Sequence, residues 1–304
     1  MSATIRCDVA ILGGGLAGGL IALALRARRP DCDIRLIEAG RSIGGNHLWS
    51  FFASDIAPEH RWLTAPLVSH GWTGYDVRFP AHARTLKAAY YSIESTRLDA
   101  LVRAALPAQA VMTGRTVLTA SPTSVALDDG DRIEAGGVID CRGAGDLSAL
   151  DCGWQKFLGR VQLWPSSSST SRPVIMDATV EQLDGYRFVY LLPFTATRMF
   201  VEDTYYSDTP DLDVPGLRRR IDLDIAARGW RVDTVIREEA GVLAVAMGGD
   251  FEGYWRSGGD GLAKAGVRGG LFHPLTSYSL PDAVRTAALI AAAPDLSGAA
   301  AISA

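Results

Sequence analysis

The sequence predicts an α/β protein, a parallel-sheet dinucleotide fold that carries an inserted β-rich block. Three observations predict it. Residues 7–22 read as strand, tight glycine turn and helix, with Gly13, Gly15 and Gly18 at the G-x-G-x-x-G positions. A second apolar strand at residues 34–37 ends at Glu38, 20 residues after Gly18, where an acidic side chain grips a ribose hydroxyl. Beyond Gly145 the pattern changes to strands rich in aromatic residues.

Each glycine of the turn has its own task. Gly13 allows the sharp bend, Gly15 lets a pyrophosphate approach the backbone, and Gly18 lets helix and strand pack closely. Leu16 and Ala17 open the helix, whose first amides then point at the phosphates. A membrane segment is the rival reading, because residues 9–25 carry no charge and Arg26, Arg28 and Arg29 follow. The run is 17 residues long and glycine-rich, short of the roughly 20 needed to span. No basic region precedes it, so it is a poor secretory signal as well.

The chain of 304 residues is long enough for one large core or two modest ones. A net charge of −4 argues against nucleic acid as a partner. Cys7, Cys32, Cys141 and Cys152 show no C-x-x-C spacing and read as reduced thiols rather than a disulfide or zinc framework. The scattered His60, His70 and His82 offer no metal set.

Past Glu38, Gly44-Gly45 bends the chain back along the nucleotide, with Arg41 and His47 in reach of its polar parts. Residues 56–70 read as a short helix, and residues 75–79 and 84–93 as strands. Ser95 is expected to cap a helix whose apolar side is Leu98, Leu101, Val102 and Leu106. Strands follow at residues 111–119 and 124–127, a hairpin signal at Asp129-Gly130, and a strand running into Val138-Ile-Asp-Cys-Arg-Gly-Ala-Gly145. Residues 166–171 read as a polar loop; strands are expected at 173–176, 186–194, 198–206 and 230–236, with an amphipathic helix at 214–228. A glycine-rich loop at 266–281 then precedes a helix at 282–292, whose positive end suits an anionic ring. Residues 1–80, 94–150 and 237–304 are expected to form the nucleotide domain, and 81–93 with 151–236 the inserted substrate domain.

Seven words, in order along the chain, resemble the bacterial lycopene β-cyclase family of flavoproteins. They are Gly44-Gly-Asn-His-Leu-Trp-Ser-Phe51, Val138-Ile-Asp-Cys-Arg-Gly143, Gly153-Trp-Gln-Lys-Phe-Leu-Gly159, Ile175-Met-Asp-Ala-Thr179, Tyr186-Arg-Phe-Val-Tyr-Leu-Leu-Pro193, Phe200-Val-Glu-Asp-Thr-Tyr205 and Leu271-Phe-His-Pro-Leu-Thr-Ser-Tyr-Ser-Leu-Pro281. The resemblance implies a Rossmann-type FAD-binding fold, glutathione-reductase-like and of the hydroxylase kind. It implies FAD in its reduced form, with NADPH as a transient reductant. Two departures stand out. Leu275 and Ser277 replace the family's Thr and Gly, and a side chain at 277 strains a turn of positive φ. The chain also ends sooner than the family pattern, which implies a shortened product with a less closed substrate tunnel.

The implied reaction is redox-neutral. The ψ-ends of lycopene, an apolar polyene, close to β-ionone rings, giving γ-carotene and then β-carotene. It needs an acid in a dry pocket, an electron-rich surface and a base. The resemblance implies Glu202 as that acid, and burial would keep it protonated near neutral pH. The competing reading exposes Glu202 and buries Asp203 in an ion pair. Gly270, His273, Pro274 and Thr276 are the expected cofactor contacts of the last loop, although His273 also reads as a turn residue bonded to backbone. Tyr90, Tyr91, Trp154, Tyr186, Phe188 and Tyr190 offer cation–π surfaces or plain core. The water-insoluble substrate implies a peripheral membrane face, on the cytoplasmic side of the inner membrane. Two rivals are a redox enzyme of the same fold (a hydroxylase or polyprenyl reductase) and an inactive shortened cyclase. The redox enzymes usually carry Asp-Gly where this chain has Asp140-Cys-Arg-Gly143.

Overall fold

The computed structural model describes residues 2–164, 171–183, 185–259 and 261–297. Strand β1 (Thr4–Leu12), helix α1 (Leu16–Arg28) and strand β2 (Ile34–Glu38) open the chain. Next come β3 (Leu48–Phe52), α2 (Arg61–Thr64), β4 (His70–Trp72), β5 (Tyr75–Phe79), β6 (His82–Leu86), β7 (Tyr90–Glu94) and α3 (Ser95–Ala105). They are followed by β8 (Val111–Thr113), β9 (Val117–Ser121), β10 (Ser124–Leu127) and β11 (Arg132–Asp140). The inserted part supplies β12 (Leu150–Leu163), β13 (Val174–Asp177), β14 (Arg187–Pro193), β15 (Arg198–Ser207), α4 (Val214–Ala227) and β16 (Thr234–Gly249). Helix α5 (Phe251–Arg256), β17 (Ala263–Lys264) and α6 (Leu280–Ala292) complete the order.

The first sheet runs β8-β2-β1-β11-β10-β9, with β17 also on β11. Its β8, β2, β1, β11 and β17 are parallel, and β9 to β11 form an antiparallel meander. Strands buried on both faces read as continuous apolar runs, and Val9 to Leu12 are at most 1% exposed. Leu20, Ile21 and Leu25 of α1 pack in one core with Leu98 and Val102 of α3 and Val284 and Ala287 of α6. Each such buried leucine, isoleucine or valine contributes about 1.5–3 kcal/mol.

The second sheet runs β16-β12-β15-β14-β13-β5-β6. Its two faces follow from the period of two. Leu158, Val201, Val189 and Leu191 point one way and pack on Leu217, Ile221 and Ile225 of α4. Their neighbours Phe188, Tyr190, Leu192 and Phe200 point the other way. A third sheet, β3-β7-β4, lies beside this second face and places Tyr90 in the same cluster.

Several expectations are corrected here. The single strand at 84–93 is two, β6 and β7, which belong to different sheets. The strand at 111–119 is broken into β8 and β9 by Gly114, whose φ is +71°. The strand expected at 230–236 starts at Thr234 and continues to Gly249. Gly241 of this strand receives the Phe157 ring, and a Cβ there would lie 2.5 Å from Phe157 Cε1. Ser95 does not cap α3; Glu94 holds the N-cap position without a side-chain cap bond. Ser95 Oγ instead accepts from the His47 amide at 3.2 Å. The expected boundary at 80/81 cuts the β5–β6 hairpin, and the one at 236/237 cuts β16, both inside the second sheet. The polar loop at 166–171 lies, but for Ser171, outside the described residues, as does the chain beyond Ser297.

Candidate active site

The glycine turn ends the first sheet as its spacing requires. Gly13 has φ +95°, and a Cβ on it would lie 2.8 Å from the Cys141 carbonyl oxygen. A Cβ on Gly18 would lie 2.0 Å from the Gly13 carbonyl oxygen, so only glycine lets α1 approach the turn. At Gly15 a Cβ would meet no atom within 4 Å. That open space lies at the N-cap of α1, which has no side-chain cap and no acidic residue in its first turn. The free amides and helix dipole there suit a phosphate. The Glu38 carboxylate accepts from the Gly14 amide at 2.7 Å and the Gly40 amide at 2.6 Å. It is thereby fixed, with lone pairs left for a ribose hydroxyl. These residues fit a dinucleotide.

A cavity of about 390 Å³ continues from this turn to the second sheet. Gly15, Leu16, Ala17, Cys141 and Gly143 form one end of its wall, and Phe157, Tyr190, Leu192, Phe200 and Glu202 the other. Strand alternation decides the fates of two neighbouring acids. Asp203 faces α4, is 0% exposed and accepts from Arg187 Nη2 at 2.6 Å. Glu202 is partly exposed and faces the cavity. Burial raises its carboxyl to about 7, with Asp203 adding to the rise and the Thr204 hydroxyl, bonded at 2.8 Å, opposing it. Both halves of the competing reading are thus separated: Asp203 is in a buried ion pair, and Glu202 is still in an apolar pocket.

A second carboxyl faces the same cavity. Gly159 of β12 pairs with Glu202 of β15 on one side and Glu239 of β16 on the other. Glu239 is 6% exposed. Burial first, then the Glu202 charge, raises it to about 8 against the pull of Arg237, whose Nη2 lies at 2.8 Å. Arg237 Nε also donates to Asn46 Oδ1 at 2.7 Å, and Asn46 Nδ2 donates to the Glu238 carbonyl at 2.8 Å. The glycine-bent loop is thereby fastened to the second sheet.

Aromatic hydroxyls complete the wall. Tyr190 and Tyr278 share a hydrogen bond of 2.7 Å. Burial pushes the Tyr278 phenol up to about 12 and raises those of Tyr90 and Tyr190 as well. All three stay neutral and polarisable around the cavity.

Of the expected contacts, Gly15, Leu16, Ala17, His47 and Glu202 line this cavity. Burial, helped by Arg237, lowers the His47 ring below the usual histidine range. The Arg41 carbonyl accepts from Arg103 at 3.2 Å, and Arg41 is not part of the wall. Gly270, His273, Pro274 and Thr276 are not part of the wall either. The His273 carbonyl accepts from the Ser277 amide at 2.7 Å and closes the turn. That turn presents Ser277, Tyr278, Ser279 and Leu280 to the cavity instead. Ser277 has φ +56°, the one positive φ outside glycine among the described residues, and its hydroxyl donates to the Ala244 carbonyl. The sequence reading missed Glu239, Gln155 and Tyr278. Glu239 sat in a charged Arg-Glu-Glu run that reads as a solvated face; the alternation Glu239, Gly241, Leu243 was its signal.

Among the described residues no helix is long and apolar enough to cross a membrane, and no three His, Cys, Asp or Glu side chains gather as a metal set.

Comparison with known proteins agrees with this geometry. Residues 8–301 match the family model described as lycopene cyclase protein. A lycopene beta-cyclase of Pseudescherichia vulneris is 43% identical over 290 residues, 95% of this chain and 74% of that protein. One from Pantoea ananas is 43% identical over 92% of this chain and 72% of its own length. Among solved structures, a geranylgeranyl bacteriochlorophyll reductase-like protein of Thermoplasma acidophilum superposes with a TM-score of 0.68 at 14% identity, over 95% of this chain and 78% of that one. The flavin-dependent brominase Bmp2 gives 0.64 at 12% identity, over the same shares. These likenesses establish the fold as the Rossmann-type α/β architecture of flavoproteins. With a cavity that places a protonatable carboxyl among aromatic rings, and a family match over nearly its whole length, the chain belongs to the lycopene cyclase family of enzymes.

Proposed function

We propose that this chain is a lycopene β-cyclase that closes the ψ-ends of lycopene in the cavity between its sheets, with Glu202 as the acid. The observation that carries the reading is Glu202 itself, a carboxyl held near 7 inside an apolar, aromatic wall. A carboxyl raised to about 7 still holds its proton in a large fraction of molecules at neutral pH, and its apolar surroundings favour giving that proton to an alkene carbon. Its proton passes to C2 of the terminal double bond and leaves a tertiary cation at C1. The C5=C6 double bond attacks that cation, and loss of the C6 proton completes the ring. Tyr90, Tyr190 and Phe200 surround the site and stabilise the cation through their ring faces.

FAD binds along Gly13, Gly15, Gly18 and Glu38 in this reading, supported by the space at Gly15 and the fixed Glu38 carboxylate. In its reduced, anionic form it supplies an electron-rich surface that favours positive charge nearby. NADPH serves only as the transient reductant. Lycopene reaches the cavity from a lipid surface on the cytoplasmic side of the inner membrane, where the protein docks peripherally; the exposed Met247, Phe251 and Leu275 support such a contact.

Expression in a lycopene-accumulating bacterium tests the reading. β-Carotene is the expected pigment. Unchanged lycopene beside a folded, flavin-loaded protein would favour a redox enzyme of the same fold or an inactive cyclase.

A further inference from the structure

Ring closure releases as many protons as it consumes, so the site needs a receiver for the C6 proton as well as a donor. We propose that Glu239 is the base that takes the C6 proton and returns it to Glu202 through the cavity that both carboxyls line. The inference rests on the cyclase reading above.

The register makes the arrangement. Glu202, Gly159 and Glu239 lie side by side on β15, β12 and β16, so the two acidic Cα atoms are about 9.5 Å apart. Residues in register share a face of the sheet, and both acids line the cavity. The residue between them has no side chain. A Cβ on Gly159 would lie 3.2 Å from Glu202 Oε2 and 2.2 Å from Phe200 Cζ. The missing side chain makes room for the Phe200 ring, which covers Gly159, while both carboxyls keep their faces on the cavity, where the folded end of a polyene can reach each of them and a proton can cross once the product has gone.

The surroundings assign the two roles. Among the described residues the Glu202 carboxylate has only the Thr204 hydroxyl as a hydrogen-bond partner, and none of the groups that shift it is cationic. Glu239 faces the Arg237 guanidinium on its own strand and accepts from the Leu48 amide of β3. Behind Arg237 stands Glu94 of β7, at 3.8 Å from Nη1, which shares its charge with His70 and Arg198. The other titratable groups on the wall, His47, Tyr90, Cys141, Tyr190 and Tyr278, carry no negative charge at neutral pH, burial having raised the Cys141 thiol and the three phenols. Burial raises both acids, Glu202 to about 7 and Glu239, even against Arg237, to about 8, so the pair shares a proton near neutral pH, and the form with the proton on Glu202 and the charge on Glu239, beside Arg237, is the productive one. Coupled acids of this kind titrate as a unit.

The step balances without an oxidant. The Glu202 proton forms the C2–H bond with the C1=C2 π pair, and the C5=C6 π pair forms the C1–C6 bond, leaving a cation at C5. The C6–H pair becomes the new C5=C6 bond while its proton goes to the Glu239 carboxylate. Proton return from Glu239 to Glu202 restores the starting state.

The test measures cyclisation of lycopene in liposomes by the FAD-reconstituted, reduced protein, as a function of pH. Wild type gives a bell-shaped profile, because one carboxyl must be protonated and the other ionised. Glu239→Gln keeps the flavin spectrum, lowers the rate about 100-fold and loses the acid limb of the bell. A Glu239→Gln protein that cyclises at the wild-type rate with an unchanged profile overturns the proposal. Should that variant not fold, Arg237→Gln decides: the acid limb moves to higher pH, and an unmoved limb overturns the proposal equally. A wild-type protein without any cyclisation would instead overturn the cyclase reading.

Discussion

Phe200 Cζ occupies the place where a Cβ on Gly159 would stand, 2.2 Å away. The ring is 3% exposed, packed among Val161, Phe188 and Leu192 and otherwise bordered by the cavity, so the free space it can enter is that of the site itself. Gly159→Ala is expected to cost about 1–3 kcal/mol and to press on the Glu202 carboxyl. Denaturant unfolding with a parallel cyclisation assay checks this. Wild-type stability together with wild-type rate would mean that the gap has no steric role.

Glu202 links activity to stability in opposite directions. Its folded-state carboxyl is near 7, above the ordinary value of 4.5. Below about pH 4.5 both folded and unfolded chains hold the proton, and no penalty exists. Between 4.5 and 7 the unfolded chain ionises first, so the folded state loses stability as pH rises, and the loss is complete above 7. Glu202→Gln is therefore expected to abolish cyclisation yet to be more stable than wild type by about 1–3 kcal/mol at pH 8, with no gain at pH 4. Thermal unfolding at the two pH values measures the difference.

The adjacent acid behaves in the reverse way. Asp203→Asn leaves Arg187 charged and buried without its bidentate partner. The expected loss is about 3–5 kcal/mol, with cyclisation by the remaining folded protein intact. If Asp203→Asn folds normally and Glu202→Gln does not, the assignment of the two strand faces is wrong.

Gly15 and Gly18 separate binding from folding. A Cβ at Gly15 enters open space, whereas one at Gly18 meets the Gly13 carbonyl oxygen at 2.0 Å. Gly15→Val is expected to fold and melt like wild type but to purify without flavin absorbance. Gly18→Val is expected to be insoluble or to melt far lower. Equal behaviour of the two variants would contradict the separate tasks of these glycines.

The sequence by itself determined the nucleotide half. A glycine turn, its flanking strands and Glu38 interact over short chain distances, and each residue type is dictated by a local steric or hydrogen-bonding need. Strand alternation likewise placed Glu202 and Asp203 on opposite faces, and the positive φ at Ser277 was legible as a side chain standing in a glycine's place. What only the tertiary structure decided is which distant strands lie side by side. The pairing of β12 with both β15 and β16 brings Glu239 to Gly159 and Glu202. Periodicity gives the face of a strand but not its neighbours, since register is fixed by packing across the whole sheet. For the same reason the last loop displays Ser277 and Tyr278 rather than His273. A turn bonded to its own backbone directs some residues inward and others away, and that direction is set by what the turn rests upon.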